Sequence, residues 1–572
     1  MQIKGFCEKY ENKILAGGLL LLLMILIACG YDYYYSLNDD VLIKDIISGV
    51  YTGTPESRDN QMLYPLSLLF SLLYKILPIV PWFGIFLCVC QYGCLYLIVE
   101  RSLTLCKKNK CKKIIVPIIA VLMIGGCFLE HLVLVQYTVT SGLLATTAIF
   151  LMITEQDREH LLKRSIPYIG LAILALLLRS EMLLLMLPFI CIAGLYVWSS
   201  EKKIWEVSHF KKYFGIIACL LACVAGMLII DLMAYGGEDW KEFRQFFDAR
   251  TTLYDYTGVP LYEQNTEFYE KENISKQQYE LLQNYNYGLE QQIDAEFMEN
   301  VAEYAKKQQP SLIDRLKMGI IRYRYRITNM DGFPYCLWAV AGYILLALAI
   351  NRSNKWRLLV LGGMMFGIRS VIWIYILMTN RIPDRITHPL YFAECLLLVG
   401  VFLVEVVHKE VKQKQHRIIP AMTVLILVSV LNLVEGVGAT EKQIAAIQEN
   451  NVANTYFREY CESHPEDFFF LDVYSSIYFT EKIFVKQHTG KNYELLGGWI
   501  CNSPIYDKKL EAYDILSVED ALLNRDNVYL VQIEGKSLDW LENYYALKGK
   551  KLKSTVVHKL EGGLEIYSLE NE

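Results

Sequence analysis

Long uncharged apolar runs dominate this chain, and they leave few folds open to it. Residues 14–31, 82–99 and 421–434 carry no Asp, Glu, Lys or Arg. Their length and polarity are what a hydrocarbon core about 30 Å thick demands of a helix. The first run does not read as a cleavable leader. Glu8, Lys9, Glu11 and Lys13 precede it, no small-residue cleavage site follows it, and further runs come after. With 54% hydrophobic residues over 572 positions, the chain is too apolar for one soluble domain. Its net charge of −5 provides no basic field for nucleic acid. The expected class is an α-helical polytopic membrane protein.

The basic residues set an expected orientation. They cluster at residues 101–113, at Arg158, Lys163 and Arg164, and at Lys202, Lys203, Lys211 and Lys212. Further clusters are Arg352, Lys355 and Arg357, then Lys409, Lys412, Lys414 and Arg417. If all are cytoplasmic, the runs between them must cross in pairs. Residues 114–130 then lead out and 138–153 return, as do 166–178 with 182–198 and 358–378 with 391–407. With a cytoplasmic N-terminus, residues 14–31 lead out and 82–99 lead back. Residues 64–80 must then begin and end on the outer side, as a re-entrant or juxtamembrane segment. Lys75, Pro78 and Pro81 suit that placement, because irregular backbone at membrane depth is tolerated where protein covers it.

The sum is about 11 transmembrane helices in a plasma membrane. The expected domains are a transmembrane part, residues 1–437, with external loops 32–81, 235–333 and 379–390, and an extracytoplasmic part, residues 438–572. In the latter FFFLDVYSSIYF and NVYLVQI read as strands, SVEDALLN as a helix and Gly562-Gly563 as a hairpin turn, which makes a small α/β domain. Trp240, Phe243, Phe246 and Phe247 recur at helical spacing and predict a helix lying on the bilayer or against the protein. Cys106 and Cys111 carry no His at metal spacing. Cys461 and Cys501 share the C-terminal domain, where a disulfide is open to them.

The candidate chemistry lies in the first external loop. Asp39 and Asp40 follow the first apolar run directly, and residues 41–50 are amphipathic. Either aspartate can serve as the N-cap of that helix. Carboxylates at a membrane surface also suit work on a lipid-linked substrate, as base for a hydroxyl or as holder of a divalent cation. A departing phosphate needs cations, and Arg381 and Arg385 in TNRIPDRITHPL are suited to bidentate phosphate contacts. The plainer alternative makes them snorkelling flanks paired with Asp384. Glu130 and His131 occupy the second external turn, Arg179 and Glu181 the third. Arg58, Tyr64, Glu130 and His131 are candidate substrate contacts, and Arg369 is an intramembrane charge without an evident partner.

The order of these features resembles the GT-C superfamily of polytopic glycosyltransferases. The matching elements are Asp39-Asp40, the amphipathic residues 41–50, Gly49 and Gly53, and Tyr64-Pro65-Leu66. Asp-Asp and Tyr-Pro stand here where that group more often has Asp-Glu and Pro-Pro. The resemblance implies transfer of a hexosyl or pentosyl group from a polyprenyl-phosphate donor. The acceptor would be a cell-surface polysaccharide or a lipid-linked precursor. It also implies a divalent cation, Mg or Mn, for which Asp40 and Glu130 are the candidate ligands. Two other functions use overlapping features. A glycan polymerase or ligase leans on Arg381 and Arg385. A non-enzymatic lipid-glycan flippase or transporter wants charges at the midplane and repeated halves, and the sequence shows no internal repeat.

Overall fold

The structure is a computed structural model. It describes residues 2–106, 110–157, 159–201, 206–379, 381–408, 417–476, 478–486 and 491–572, with backbone alone for residues 2–9, 110–113 and 208–209. Lys107, Lys108, Arg158, Lys202, Lys203, Lys409, Lys412 and Lys414, which entered the expected orientation, lie outside the described residues. So does the side chain of Cys111.

The first elements are α1 (Gln2–Gly30), β1 (Tyr34–Tyr35), α2 (Asn38–Ser48), α3 (Tyr64–Ile76) and α4 (Trp82–Leu105). Next come α5 (Lys110–Met123), a π-helical turn (Ile124–Phe128), α6 (Leu129–Val133), β2 (Leu134–Val135) and α7 (Tyr137–Thr154). The bundle continues through α8 (Leu161–Leu178), α9 (Ser180–Ser199) and α10 (Val207–Ala234). A helical insertion holds α11 (Glu238–Thr251), α12 (Thr266–Lys271), α13 (Lys276–Gln283), α14 (Ala295–Gln308) and α15 (Leu312–Thr328). The last helices of the bundle are α16 (Cys336–Ala349), α17 (Lys355–Met378), α18 (Asp384–Phe402) and α19 (Ile418–Ser463).

Among the described residues ten helices are long and apolar enough to cross a membrane, and the chain is a multi-pass helical membrane protein. α16 is apolar but only 14 residues long, about 21 Å at 1.5 Å per residue. Counted with the ten, it brings the total to the expected number. The predicted juxtamembrane segment is α3, opened by Pro65 in its first turn, where a missing N–H costs nothing. Leu69, Leu72, Ile76, Leu77 and Ile79 lie exposed on and just beyond it, an apolar face suited to lipid.

α7 and α18 form the centre of the bundle, each 94% buried along its apolar window. Gly142 lets them close, since a Cβ there would stand 2.5 Å from Pro389. Gly436 does the same for α19, where a Cβ would meet the carbonyl oxygen of Gly126 in the π-helical turn at 2.4 Å.

α19 runs for 46 residues without interruption, about 69 Å, through position 437 and out of the bundle. Its last turns bring Phe457 and Cys461 against a sheet with Phe469 and Ile566. That sheet contains β3 (Phe468–Leu471), β4 (Tyr493–Leu495), β5 (Val528–Ile533), β6 (Leu552–Leu560) and β7 (Leu564–Asn571), in the order β4-β3-β5-β7-β6. β4, β3 and β5 are parallel, and β7 joins β5 and β6 antiparallel. The helical insertion shares its core. Phe246, Tyr287, Met298 and Val301 pack in one cluster with Phe468, Leu496, Tyr506 and Leu530. Insertion and sheet therefore make one cap over one end of the bundle. The aromatic helix α11 lies against protein, with Trp240 and Phe243 in the bundle core and Phe246 in the cap core. The Cys461–Cys501 disulfide is not formed. Both are buried free thiols in separate apolar clusters.

Candidate functional site

Two short strands bring the first and second loops together. β1 pairs parallel with β2, Tyr34 opposite Leu134 and Tyr35 opposite Val135. That parallel register brings Asp40, just after β1, to Tyr137, just after β2, while Glu130 and His131 lie before β2. Neither aspartate caps α2. The N-cap is Leu37, in extended conformation and with no side-chain cap bond, and both acids sit in the first turn. There they still face the positive end of the helix dipole.

The two acids have different surroundings. Asp40 is fully buried. Its Oδ1 accepts the backbone N–H of Tyr137 at 3.0 Å, while its Oδ2 is buried without a hydrogen-bond partner among the described residues. Burial pushes the carboxyl up to about 8; the Tyr137 N–H and the Arg385 guanidinium oppose the rise and Asp39 adds to it. A carboxyl poised near neutrality is what a general base requires. Asp39 is half-buried, and its Oδ1 accepts from Trp499 Nε1 at 3.1 Å. It lines a cleft of about 310 Å³ between α2 and the cap, with Tyr51, Arg250, Tyr285, Tyr493 and Trp499. The mix of flat aromatic faces and charged groups suits a hydroxyl-rich molecule.

A second cleft, of about 370 Å³, lies beside the residues that lead into α2. Ser36, Leu37, Glu130, His131, Asp384 and Arg385 line it. The structure separates the two predicted arginines. Arg385, in the first turn of α18, has no ion-pair partner among the described residues and attracts both Asp40 and Tyr137. Arg381 precedes the helix and forms an ion pair with Asp255 of the insertion, which makes it a tether between bundle and cap.

Arg58 and Tyr64 line neither cleft. Arg58 Nε donates to the Ala234 carbonyl at 2.9 Å and its guanidinium lies over Trp240. The Tyr64 N–H donates to Asp231 at 2.9 Å. Both hold the first loop to α10. The turn between them is built on Asp59, fully buried, which accepts from the Gln61 and Met62 N–H groups and from Ser67 Oγ. Glu130 accepts from Gln443 Nε2 at 3.2 Å and from the Tyr335 hydroxyl at 3.4 Å. The ligand-type atoms that gather around it belong to His131 and His388.

Gln61 and Arg179 also join the site; the sequence places Arg179 only in the third external turn and gives no sign of Gln61. Arg179 donates to Gln61 Oε1 at 2.6 Å and to the Tyr137 hydroxyl at 3.1 Å, and it pairs with Glu181 at 3.1 Å. Its charge also acts on Asp39. Gln61 and Arg179 thus brace Tyr137, the residue whose N–H holds Asp40. Behind α2, Lys44 contacts Glu481 at 2.7 Å, and Arg458 of α19 pairs with the same carboxylate. That buried pairing fixes α2 to the cap. Arg369 has a partner after all: Glu394 of α18, at 2.9 Å.

No family model and no curated protein matches this chain. Two solved structures are similar to it. The crystal structure of ArnT from Cupriavidus metallidurans bound to undecaprenyl phosphate has 9% sequence identity and a TM-score of 0.40, with 97% of each chain covered. The apo structure of the same protein has 9% identity and a TM-score of 0.41, with 96% of each chain covered. At that distance the chemistry of this chain rests on its own residues.

Proposed function

We propose that this chain is a membrane glycosyltransferase that uses a polyprenyl-phosphate sugar. One observation carries the reading: buried Asp40, with one oxygen unpartnered among the described residues, lies in the field of Arg385, a cation that lines the second cleft and has no ion-pair partner among the described residues. The cleft would take the phosphate of the donor, and the polyprenyl chain would stay in the bilayer. The first cleft, with Asp39, Trp499 and Tyr285, would take a glycan or lipid-linked acceptor. Leu37 lines the donor cleft and Asp39 the acceptor cleft, and Asp40, next in the chain, is buried behind them and lines neither.

The acceptor hydroxyl oxygen attacks the anomeric carbon, and the bond from that carbon to the phosphate oxygen breaks. The hydroxyl proton passes to Asp40, and polyprenyl phosphate leaves with both electrons of the broken bond. Negative charge grows on the leaving oxygens, where a charge-assisted hydrogen bond from Arg385 gains most. Asp40 must be ionised to act, and its carboxyl near 8 makes it a stronger base than an ordinary aspartate. On this reading the cap faces outward, the N-terminus is cytoplasmic and the membrane is the plasma membrane.

Asp39→Asn/Asp40→Asn, expressed at the wild-type level, should abolish the glycan product in cells. Unchanged product in that double variant would remove the mechanism.

A further inference from the structure

We propose that Glu130, His131 and His388 bind a divalent transition-metal ion of the Zn(II) class. His131 Nε2 and His388 Nδ1 lie 2.9 Å apart. One ligand-type atom from each of the three residues lies within 4.8 Å of the others. An ion holding two imidazoles tetrahedrally at about 2.0–2.1 Å needs its nitrogens a little over 3 Å apart, so the rings have only a few tenths of an ångström to move. Both histidines are buried, at 6% and 8% exposed.

The surroundings favour an ion over a simple N–H···N bond. His388 turns its other nitrogen, Nε2, toward Asp384 Oδ1 at 3.7 Å. At that distance the carboxylate makes no hydrogen bond to the ring, but its charge favours the proton on Nε2, which leaves the near nitrogen to present its lone pair. Tyr335 stacks on His388 at 3.7 Å, and Phe392 meets the His131 ring edge-on, so both rings are held before any ligand arrives. The π-helical turn that precedes α6 is an irregularity of a kind that recurs at functional sites. The bonds that Glu130 accepts, at 3.2 and 3.4 Å, are long ones that an ion can displace.

Two imidazoles and one carboxylate with an open fourth position is a donor set of catalytic zinc sites. Nitrogen donors select against Mg, so this site differs in metal and in ligands from an Asp40–Glu130 pair. Glu130 and His131 both line the 370 Å³ cleft, so the fourth position opens there. Its natural occupant, on the proposed function above, is a phosphate oxygen. Metal binding itself does not depend on that reading and is measured without any transfer assay.

The test uses the full chain in detergent micelles, stripped with a chelator, loaded with Zn(II) and desalted. The wild type should retain about one equivalent more Zn(II) than His388→Gln. Asp384→Asn should keep the site but weaken it by at least about tenfold. Wild-type protein loaded with Co(II) should give the intense visible absorption of a tetrahedral ion, a reading that needs no variant to fold. Zn(II) retention equal in wild type and His388→Gln would overturn the proposal. So would a Co(II) spectrum no stronger than that of the hydrated ion.

Discussion

Asp40 accepts the backbone N–H of Tyr137 at 3.0 Å, which pins the first turn of α2 to the first turn of α7, one of the two most buried helices in the bundle. One carboxylate oxygen is held by rigid backbone, and the other has no hydrogen-bond partner among the described residues. The free oxygen's position is therefore set by the core of the protein and not by a loop. A base needs that preorganisation, and a cap residue does not.

The first prediction is a pH dependence. With the Asp40 carboxyl near 8, the ionised form grows about tenfold per pH unit below that value. Transfer at subsaturating donor should therefore rise with slope near one from about pH 6 and level off above about pH 8. Stability should run the other way. The folded value lies above the unfolded one of about 3.9, so folding favours the protonated acid, and stability falls as pH rises from about 4 to about 8. Asp40→Asn should lose transfer by about 10²–10⁴-fold and flatten this part of the Tm-against-pH curve. A wild-type rate flat from pH 6 to 9 would count against Asp40 as base.

The two arginines should separate. Arg385→Ala removes the cation of the donor cleft that has no ion-pair partner among the described residues. At about 1.5–3 kcal/mol for a charged hydrogen bond, the apparent donor KM should rise by about one to two orders of magnitude. Arg381→Ala breaks a partly exposed pair with Asp255 and should cost about 1 kcal/mol or less. Steady-state kinetics on the two single variants decides it. Equal effects would mean that both touch donor.

Trp499 reaches Asp39 through its indole N–H. Trp499→Phe keeps most of the ring and deletes the donor, so it should raise acceptor KM about tenfold or less and leave donor KM unchanged. A change in donor KM instead would place Asp39 with the other cleft.

Arg369 and Glu394 pair at 2.9 Å between α17 and α18 with side chains 12% and 1% exposed. Removing one partner strands a buried charge, at about 3–5 kcal/mol. Glu394→Leu should therefore lower Tm sharply in detergent. Arg369→Met/Glu394→Leu should recover much of the loss, since well-packed apolar pairs often replace buried ion pairs at little cost. No recovery would mean that the pair does more than neutralise itself.

The spans were legible because each reports itself within one window of sequence. The Asp39-Asp40 loop was legible from the order of its parts. Much of the remaining site was not, because its contacts cross long stretches of chain. Trp499 meets Asp39 from 460 residues away, and the two-residue strands Tyr34–Tyr35 and Leu134–Val135 are too short to leave a pattern. Arg381 and Arg385 looked equivalent, four apart as on one helix face, yet the helix begins at Asp384 and leaves Arg381 outside it. Glu394, buried among apolar residues of α18, hid as the partner of Arg369. Arg179 showed in the sequence only as a charge beside Glu181 in the third external turn; it pairs with Glu181, while its other contacts brace Tyr137.

The most direct measurement follows the lipid. The purified chain in liposomes, supplied with polyprenyl-phosphate sugars extracted from its native membranes and with the matching glycan acceptors, should release one polyprenyl phosphate for each sugar transferred, and Asp40→Asn should release almost none. Recovery of the sugar lipid intact, with equal amounts from wild type and Asp40→Asn and no glycosylated product, would contradict glycosyl transfer.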